Sequence, residues 1–330
     1  MEKREEKVVC VTGASGFVAS CLIGTLLRKG YTVNATVRNV ADPTKVDHLK
    51  ALEGAKERLR LFHADLTVKA SFDAAVDGCD GVFHTASPVV FDNIKDPQTE
   101  LIEPAVNGTL NVLRSCLRSP SVKRVVLTSS LAAVVISRKA LEGNAIADET
   151  WQSEPGFCEE IQAWYCLSKT LAEEAAWNFA KSHGIDLVVI NPGLVIGRAL
   201  QPILNVTFEE FLQFITKGTS SIVTADGTVI LVDIEDVVQA HILALENPSA
   251  NGRYCLASAS LYKSEVYKII RHLYPTFTLP PCDENDRLKR SALQISKEKV
   301  KSLGVDFVPI EQSIKETIEF LKERNMLAVP

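Results

Sequence analysis

The chain of 330 residues carries a formal net charge of −5 with a pI near 5.8, and its longest early basic run is Lys3-Arg4. Electrostatically driven nucleic-acid binding is therefore not expected. Hydrophobic residues at 46% supply core for about two domains of roughly 150 residues each, without help from disulfides or metal. The eight cysteines are scattered with no Cys-x-x-Cys, and the six histidines form no His-x-x-x-His or Cys/His array, so neither a disulfide framework nor a bound metal is expected. The apolar run at 8–11 is too short for a signal-peptide core, and no stretch approaches the about 18 apolar residues of a membrane span. A cytoplasmic protein with no membrane partner is the expectation.

In chain order, short apolar runs at 7–11, 32–37, 58–63, 81–83, 124–128 and 187–190 alternate with helix-like stretches at 17–29, 44–52, 68–77, 98–118 and 160–183. Strands that alternate with helices form βαβ units. The runs are continuously apolar and rich in Val and Leu, as required where both faces of a sheet are covered. The expected fold is α/β, a Rossmann-type doubly wound parallel sheet over 1–193. After Pro192-Gly193 the rhythm loosens. A helix at 233–246 and a strand at 253–257 are expected to return to the sheet, giving returns near 233–257, while 194–232 and 258–330 make a smaller C-terminal substrate-binding lobe. A closing amphipathic helix over 310–325 places Ile314, Ile318 and Leu321 on one side.

The first strand runs into Thr12-Gly13-Ala14-Ser15-Gly16-Phe17-Val18-Ala19. A side chain at residue 13 would obstruct the tight turn, one at residue 16 would hold a diphosphate away from the helix amides, and Ala19 is small enough for close packing of helix on strand. A dinucleotide site is expected here. Folds that read a free ribose 2′-hydroxyl place Asp or Glu at the end of the second strand. This chain has Thr36-Val37-Arg38-Asn39 instead. A guanidinium suits a 2′-phosphate, and Lys45 is near enough in sequence to assist, so NADP(H) is favoured over NAD.

Tyr165 and Lys169 stand four apart in a predicted helix and share one face. A tyrosine of ordinary pKa ≈ 10 exchanges protons poorly at neutral pH unless a cation favours its phenolate, and the ammonium one turn away is expected to lower it. Thr128-Ser129-Ser130 ends the fifth strand, at the carboxyl edge where doubly wound folds bind ligands. A serine there can donate to a carbonyl oxygen, and a turn-capping role is expected for one of the pair.

Together these residues resemble the extended short-chain dehydrogenase/reductases, over nearly the whole chain. The resemblance rests on Thr12 to Ala19, Asp65-Leu66, His84-Thr85-Ala86-Ser87-Pro88, Asn107-Gly108-Thr109, Thr128-Ser129-Ser130, Tyr165-x-x-x-Lys169 and Asn191-Pro192-Gly193. His-Thr-Ala-Ser-Pro and Ser168-Lys169-Thr170-Leu171-Ala172-Glu173 look like the plant branch of cinnamoyl-CoA reductases, dihydroflavonol reductases and cinnamyl alcohol dehydrogenase-like aldehyde reductases. The resemblance implies Tyr165 as proton donor, Lys169 as its partner and as a holder of the nicotinamide ribose, and Ser130 as the group that polarises the carbonyl. It implies cofactor contacts at Thr12, Gly13, Ser15, Gly16, Phe17, Val18, Arg38 and Lys45, at Asp65 and Leu66 beside the adenine, at Thr85, Ala86 and Ser87, and at Pro192, Gly193, Leu194 and Val195 beside the nicotinamide. Asn107 is read as a helix hydrogen-bonding residue, although in this superfamily an asparagine of the fourth helix can hold a water of the proton relay, and His84 is read as shaping its loop. Cys158 and Cys166 match a cysteine pair of the cinnamoyl-CoA reductases that can form a reversible disulfide, although a reducing cytosol favours two thiols.

One departure from that branch is informative. Cinnamoyl-CoA reductases carry Asn-Trp-Tyr-Cys-Tyr-Gly-Lys around the tyrosine, where this chain has Ala163-Trp164-Tyr165-Cys166-Leu167-Ser168-Lys169, more like the aldehyde reductases. The expected activity is NADPH-dependent reduction of an aromatic, phenylpropanoid-type aldehyde to its alcohol, by a monomer or weak homodimer. Thioester reduction, ketone reduction of the dihydroflavonol or polyketide kind, and a noncatalytic NADP-binding module stay open as alternatives. Val89, Val90, Phe91, Ile136, Phe157, Trp164, Val195, Phe208, Phe211, Ile222 and Tyr262 are the candidates for an apolar substrate pocket.

Overall fold

In a computed structural model of the chain, residues 7–89, 94–141, 145–220, 224, 227–282 and 292–327 are described. The strands are β1 (Val8–Val11), β2 (Thr32–Val37), β3 (Leu59–His63), β4 (Gly81–His84), β5 (Arg124–Thr128), β6 (Ile146–Ala147) and β7 (Leu187–Pro192). They continue with β8 (Leu194–Ile196), β9 (Thr228–Asp233), β10 (Gly252–Leu256), β11 (Ala259–Tyr262) and β12 (Gln294–Ile295). The helices that frame them are α1 (Phe17–Arg28), α2 (Pro43–Lys50), α3 (Ala55–Arg58), α4 (Asp73–Val76) and α5 (Glu103–Arg118). After these come α6 (Pro155–Glu160), α7 (Trp164–His183), α8 (Val206–Lys217), α9 (Ile234–Glu246) and α10 (Lys263–Leu273). Two more, Glu298–Leu303 and Ile310–Glu323, complete the described chain.

Seven strands form one parallel sheet in the order β10-β7-β5-β4-β1-β2-β3. Successive side chains of a strand point to opposite faces, and here both faces are apolar. Val9, Val11, Phe83 and Val126 pack on one side with α1 and α9, whereas Cys10, Val82, Val125 and Leu127 pack on the other with α5 and α7. The chain order reverses between β1 and β4, which opens the crevice at their carboxyl ends. Thr12 and Gly13 lie at one lip and His84 to Ser87 at the other.

The expected return near 233–257 reaches the sheet, where β10 pairs with β7. The segment read as irregular from 194 to 232 is more ordered than its Pro, Thr and Ser suggest. It holds β8, α8 and β9, and β8 and β9 join β11 in a three-stranded sheet. Between β7 and β8 stands Gly193, where a Cβ would lie 2.6 Å from the Ile230 carbonyl oxygen. The helix expected over 160–183 is two helices, broken where Gln162 takes φ +56°. That expected over 68–77 shrinks to α4, with Ala70 at φ +61° ahead of it. Among the described residues no helix is long and apolar enough to cross a membrane.

Candidate active site

The glycine turn takes its shape from local sterics. Gly13 has φ +68°, and a Cβ on it would sit 3.0 Å from both Cα and Cβ of Ala86. An L side chain is disfavoured twice over, by the left-handed backbone and by the opposite lip. Gly16 precedes α1 without any side-chain cap, and no acidic residue occupies the first turn. The leading N–H groups of that helix lack helical partners and the helix dipole favours an anion there, so Ser15 to Val18 offer a cradle that suits a diphosphate.

Thr12 fastens the two lips together. Its hydroxyl accepts from the amides of Thr85 at 3.1 Å and Ala86 at 3.0 Å, and lies 2.9 Å from Nδ1 of His84. The Thr85 hydroxyl donates in turn to the Thr12 carbonyl. With both lone pairs taken, the Thr12 proton points to Nδ1, which leaves Nε2–H of His84 for Thr109 Oγ1 at 3.4 Å. Burial pushes the His84 imidazole down to about 3, so it is neutral at physiological pH. It is a latch that shapes the loop.

The far end of the crevice is open. Arg38 is exposed after β2, and Lys45 is half-buried in the first turn of α2. Asp65 Oδ1 accepts from the amide of Thr67 at 2.8 Å and its hydroxyl at 2.7 Å, which hold its carboxyl below the usual range, with Arg38 adding to the effect. Leu66 packs against Gly108, where a Cβ would lie 2.9 Å from its own, and its carbonyl accepts from Asn111.

At the other end the side chains are packed in. Lys169 is buried on α7, and its ammonium donates to the Thr128 carbonyl at 3.1 Å. Burial pulls it down to about 8, while Glu173 acts to raise it. Thr128 is fixed from behind by His241, whose Nδ1–H donates to the Val237 carbonyl at 2.7 Å, so that Nε2, 2.6 Å from Thr128 Oγ1, accepts. Ser130 opens a 3₁₀ turn, its hydroxyl accepting from Ala132 at 3.1 Å, and it also bonds the Tyr165 hydroxyl. Ser129 turns away and donates to Glu173.

Tyr165 does not follow the expected direction. Burial pushes its phenol up to about 12, opposed by the Ser130 hydrogen bond. Desolvation of the phenolate outweighs the favourable partner, so the side chain keeps its proton at neutral pH. The expected net lowering by Lys169 is not seen, because burial of the phenol dominates.

Other expected positions fall as follows. Pro192 to Val195 end β7 and begin β8 around Gly193. Phe208 and Phe211 are core: the Phe208 ring lies 4.9 Å from Phe17 and 5.2 Å from Phe320, centroid to centroid. Tyr262 and Val195 are buried as well, and Phe157 lies beneath Arg138. Ile136 and Trp164 stay half-buried beside the helix of Tyr165. Val89 is exposed, and Val90, Phe91 and Ile222 lie outside the described residues. Asn107 is exposed on α5. Cys158 and Cys166 are free thiols in one apolar cluster, each pushed up by burial, to about 11 and about 12.

The buried group that the sequence reading missed is Glu173 with Asn191 and Arg253. A glutamate among Ala172 and Ala176, on the face already claimed by Lys169, was the available signal. Its partner Arg253 lies 80 residues away and gave none.

A family model described as NAD dependent epimerase/dehydratase matches residues 9–257. The chain belongs to this family. Within it, the chain is 54% identical over 318 residues to cinnamoyl-CoA reductase CAD2 of Medicago truncatula, covering 96% of each protein. Among solved structures it is similar to vestitone reductase from alfalfa, with a TM-score of 0.82, 32% identity and coverage of 98% of this chain and 100% of that one. It is also similar to yeast methylglyoxal/isovaleraldehyde reductase complexed with NADPH, with a TM-score of 0.84, 26% identity and coverage of 97% and 100%.

Proposed function

We propose that the chain is an NADPH-dependent reductase that converts an aromatic aldehyde to its primary alcohol. The observation that carries this reading is the Ser130–Tyr165 hydrogen bond at the carboxyl edge of the sheet, with Lys169 buried one turn further along the same helix. NADPH, when bound, supplies the hydride. The turn from Thr12 to Val18 would hold its diphosphate, Arg38 and Lys45 its 2′-phosphate, Asp65 and Leu66 its adenine, and Thr85 to Ser87, Lys169 and the 192–195 segment its nicotinamide half. The yeast reductase complexed with NADPH supports the choice of cofactor. Residues 1–193 with 233–257 form the cofactor-binding part and 194–232 with 258–330 the substrate lobe in this reading.

The protein's own chemistry is proton management. Tyr165 keeps its proton at neutral pH and donates it to the carbonyl oxygen as the alcohol forms. Ser130 donates to the same oxygen and stabilises the charge that builds there. Lys169 puts a buried positive charge behind Tyr165, which favours the phenolate left by donation. Ile136 and Trp164 offer half-buried apolar surface to a flat ring.

A second reading, reduction of a cinnamoyl-CoA thioester, is favoured by the 54% identical relative of that name. Leu167-Ser168 before Lys169 supports the aldehyde instead. The initial rate of NADPH absorbance loss, with coniferaldehyde, phenylacetaldehyde and cinnamoyl-CoA at matched concentration, separates the two. Faster turnover of an aldehyde is expected. Turnover of the thioester alone would reverse the order of the readings, and inactivity on all three would overturn both.

A further inference from the structure

We propose that Glu173 is a positioning residue for this reaction, tying the helix of Tyr165 and Lys169 to the strand end that carries Ser130 and placing a buried negative charge one turn from the Lys169 ammonium. The proposal rests on the reductase reading above.

Glu173 is 1% exposed, yet both its oxygens are occupied. Oε1 accepts from Trp177 Nε1 at 3.1 Å and from Arg253 Nε, and Oε2 accepts from Ser129 Oγ at 2.5 Å and Asn191 Nδ2 at 2.8 Å. The same Asn191 amide donates its second proton to the Ser130 carbonyl at 3.0 Å. One carboxylate therefore gathers α7, the end of β5, β7 and β10 around the catalytic serine. Arg253 is fixed in turn by donating to the Trp151 carbonyl at 2.7 Å. A packed core would be served as well by an apolar side chain, and a buried ion pair is weak evidence for stability. What an apolar side chain would not supply is charge. Lys169 and Glu173, at i and i+4 on α7, share a face.

Several groups face Lys169. Tyr165 shares its helix, and the Thr128 carbonyl accepts a hydrogen bond from the ammonium. His84 on β4 and His241 behind Thr128 are both neutral by burial, and Arg253 is matched by Glu173 itself. The Thr128 carbonyl and Glu173 both favour the ammonium against its desolvation, and Glu173 is the one that does so with a charge. Removing its charge should let Lys169 lose its proton at lower pH, and the upper pH limit of turnover should fall with it.

The test is Glu173→Gln in the full-length protein, labelled with ¹³C at lysine Cε. The Lys169 signal is identified by its absence from Lys169→Met. In Glu173→Gln its titration midpoint should fall by about one pH unit. Turnover should drop about threefold near pH 7.5 and by much less near pH 6.5, with KM for aldehyde and Kd for NADPH held within about twofold. Because the single variant leaves a guanidinium buried and unpaired, Glu173→Gln/Arg253→Gln is measured beside it and should move the midpoint in the same direction. An unchanged Lys169 midpoint in either folded variant, or a loss of turnover equal at all pH values, would overturn the proposal. A shifted midpoint in a protein whose wild type turns over no carbonyl would overturn the reductase reading and leave the Glu173–Lys169 link standing.

Discussion

The two ends of the crevice are built by opposite means. At the nucleotide end Arg38 is exposed, Lys45 is half-exposed and Asp65 is held by Thr67, two residues along the chain. At the reacting end Lys169, Ser129, Glu173, Asn191 and His241 are buried, and their hydrogen bonds span up to 113 residues of sequence. The first end can recognise a charge that arrives from water, and salt screens it. The second holds its groups in place before any substrate arrives, where electrostatics are stronger and reorganisation is small. Substitutions at the open end should therefore act on affinity, and those at the closed end on turnover.

The largest effect is expected for Lys169→Met. Removing the buried ammonium should lower kcat by about 10³-fold, within the range for groups that manage a proton in the transition state, and weaken NADPH binding by far less, through the lost contact to the nicotinamide half, as read by fluorescence titration. A comparable loss in affinity alone would blur the two ends. Arg38→Ala should do the converse: NADPH binding weakens by about 10- to 100-fold, as expected for a charge-assisted contact of about 1.5–3 kcal/mol, while kcat at saturation and NADH binding hold. If NADPH and NADH binding weaken equally in that variant, Arg38 is not the 2′-phosphate reader.

Between the two ends lies the glycine turn. Gly13→Ala forces a Cβ into the left-handed region against Ala86 and should cost about 1–2 kcal/mol of stability, seen as a lower Tm even without ligand. A slope with pH is expected as well. His84 and His241 have folded pKa values of about 3 and about 4, below their unfolded value. Their contribution is complete above about pH 6.5 and is lost as pH falls toward the folded values, because the unfolded state then binds the protons. Denaturant melts from pH 7 to pH 4 (roughly the window set by those values) should show stability falling, and His84→Asn should flatten part of that fall.

The same contrast explains what could be read from sequence. The sheet was legible because its strands are continuously apolar and separated by helices of ordinary period. The open end was legible because its residues act locally, through a turn, a helix start and an arginine at a strand end. Tyr165 and Lys169 were legible because their four-residue spacing already puts them on one face. Glu173, Asn191 and Arg253 were not visible as a group, since they meet only when β5, α7, β7 and β10 are assembled. The wrong direction for Tyr165 has the same origin, because spacing supplies the cation but not the burial that outweighs it. Phe208 and Phe211 look the same in sequence whether they line a pocket or a core. Only the placement of α8 against Phe17 and Phe320 decides for the core.

The account turns on Tyr165 as a proton donor that keeps its proton until the carbonyl is reduced. Single-turnover oxidation of bound NADPH by an aromatic aldehyde, in wild type and in Tyr165→Phe, tests it most directly. A rate lower by about 10³-fold or more in the variant, with NADPH and aldehyde still bound, is the predicted result. An undiminished rate would contradict it.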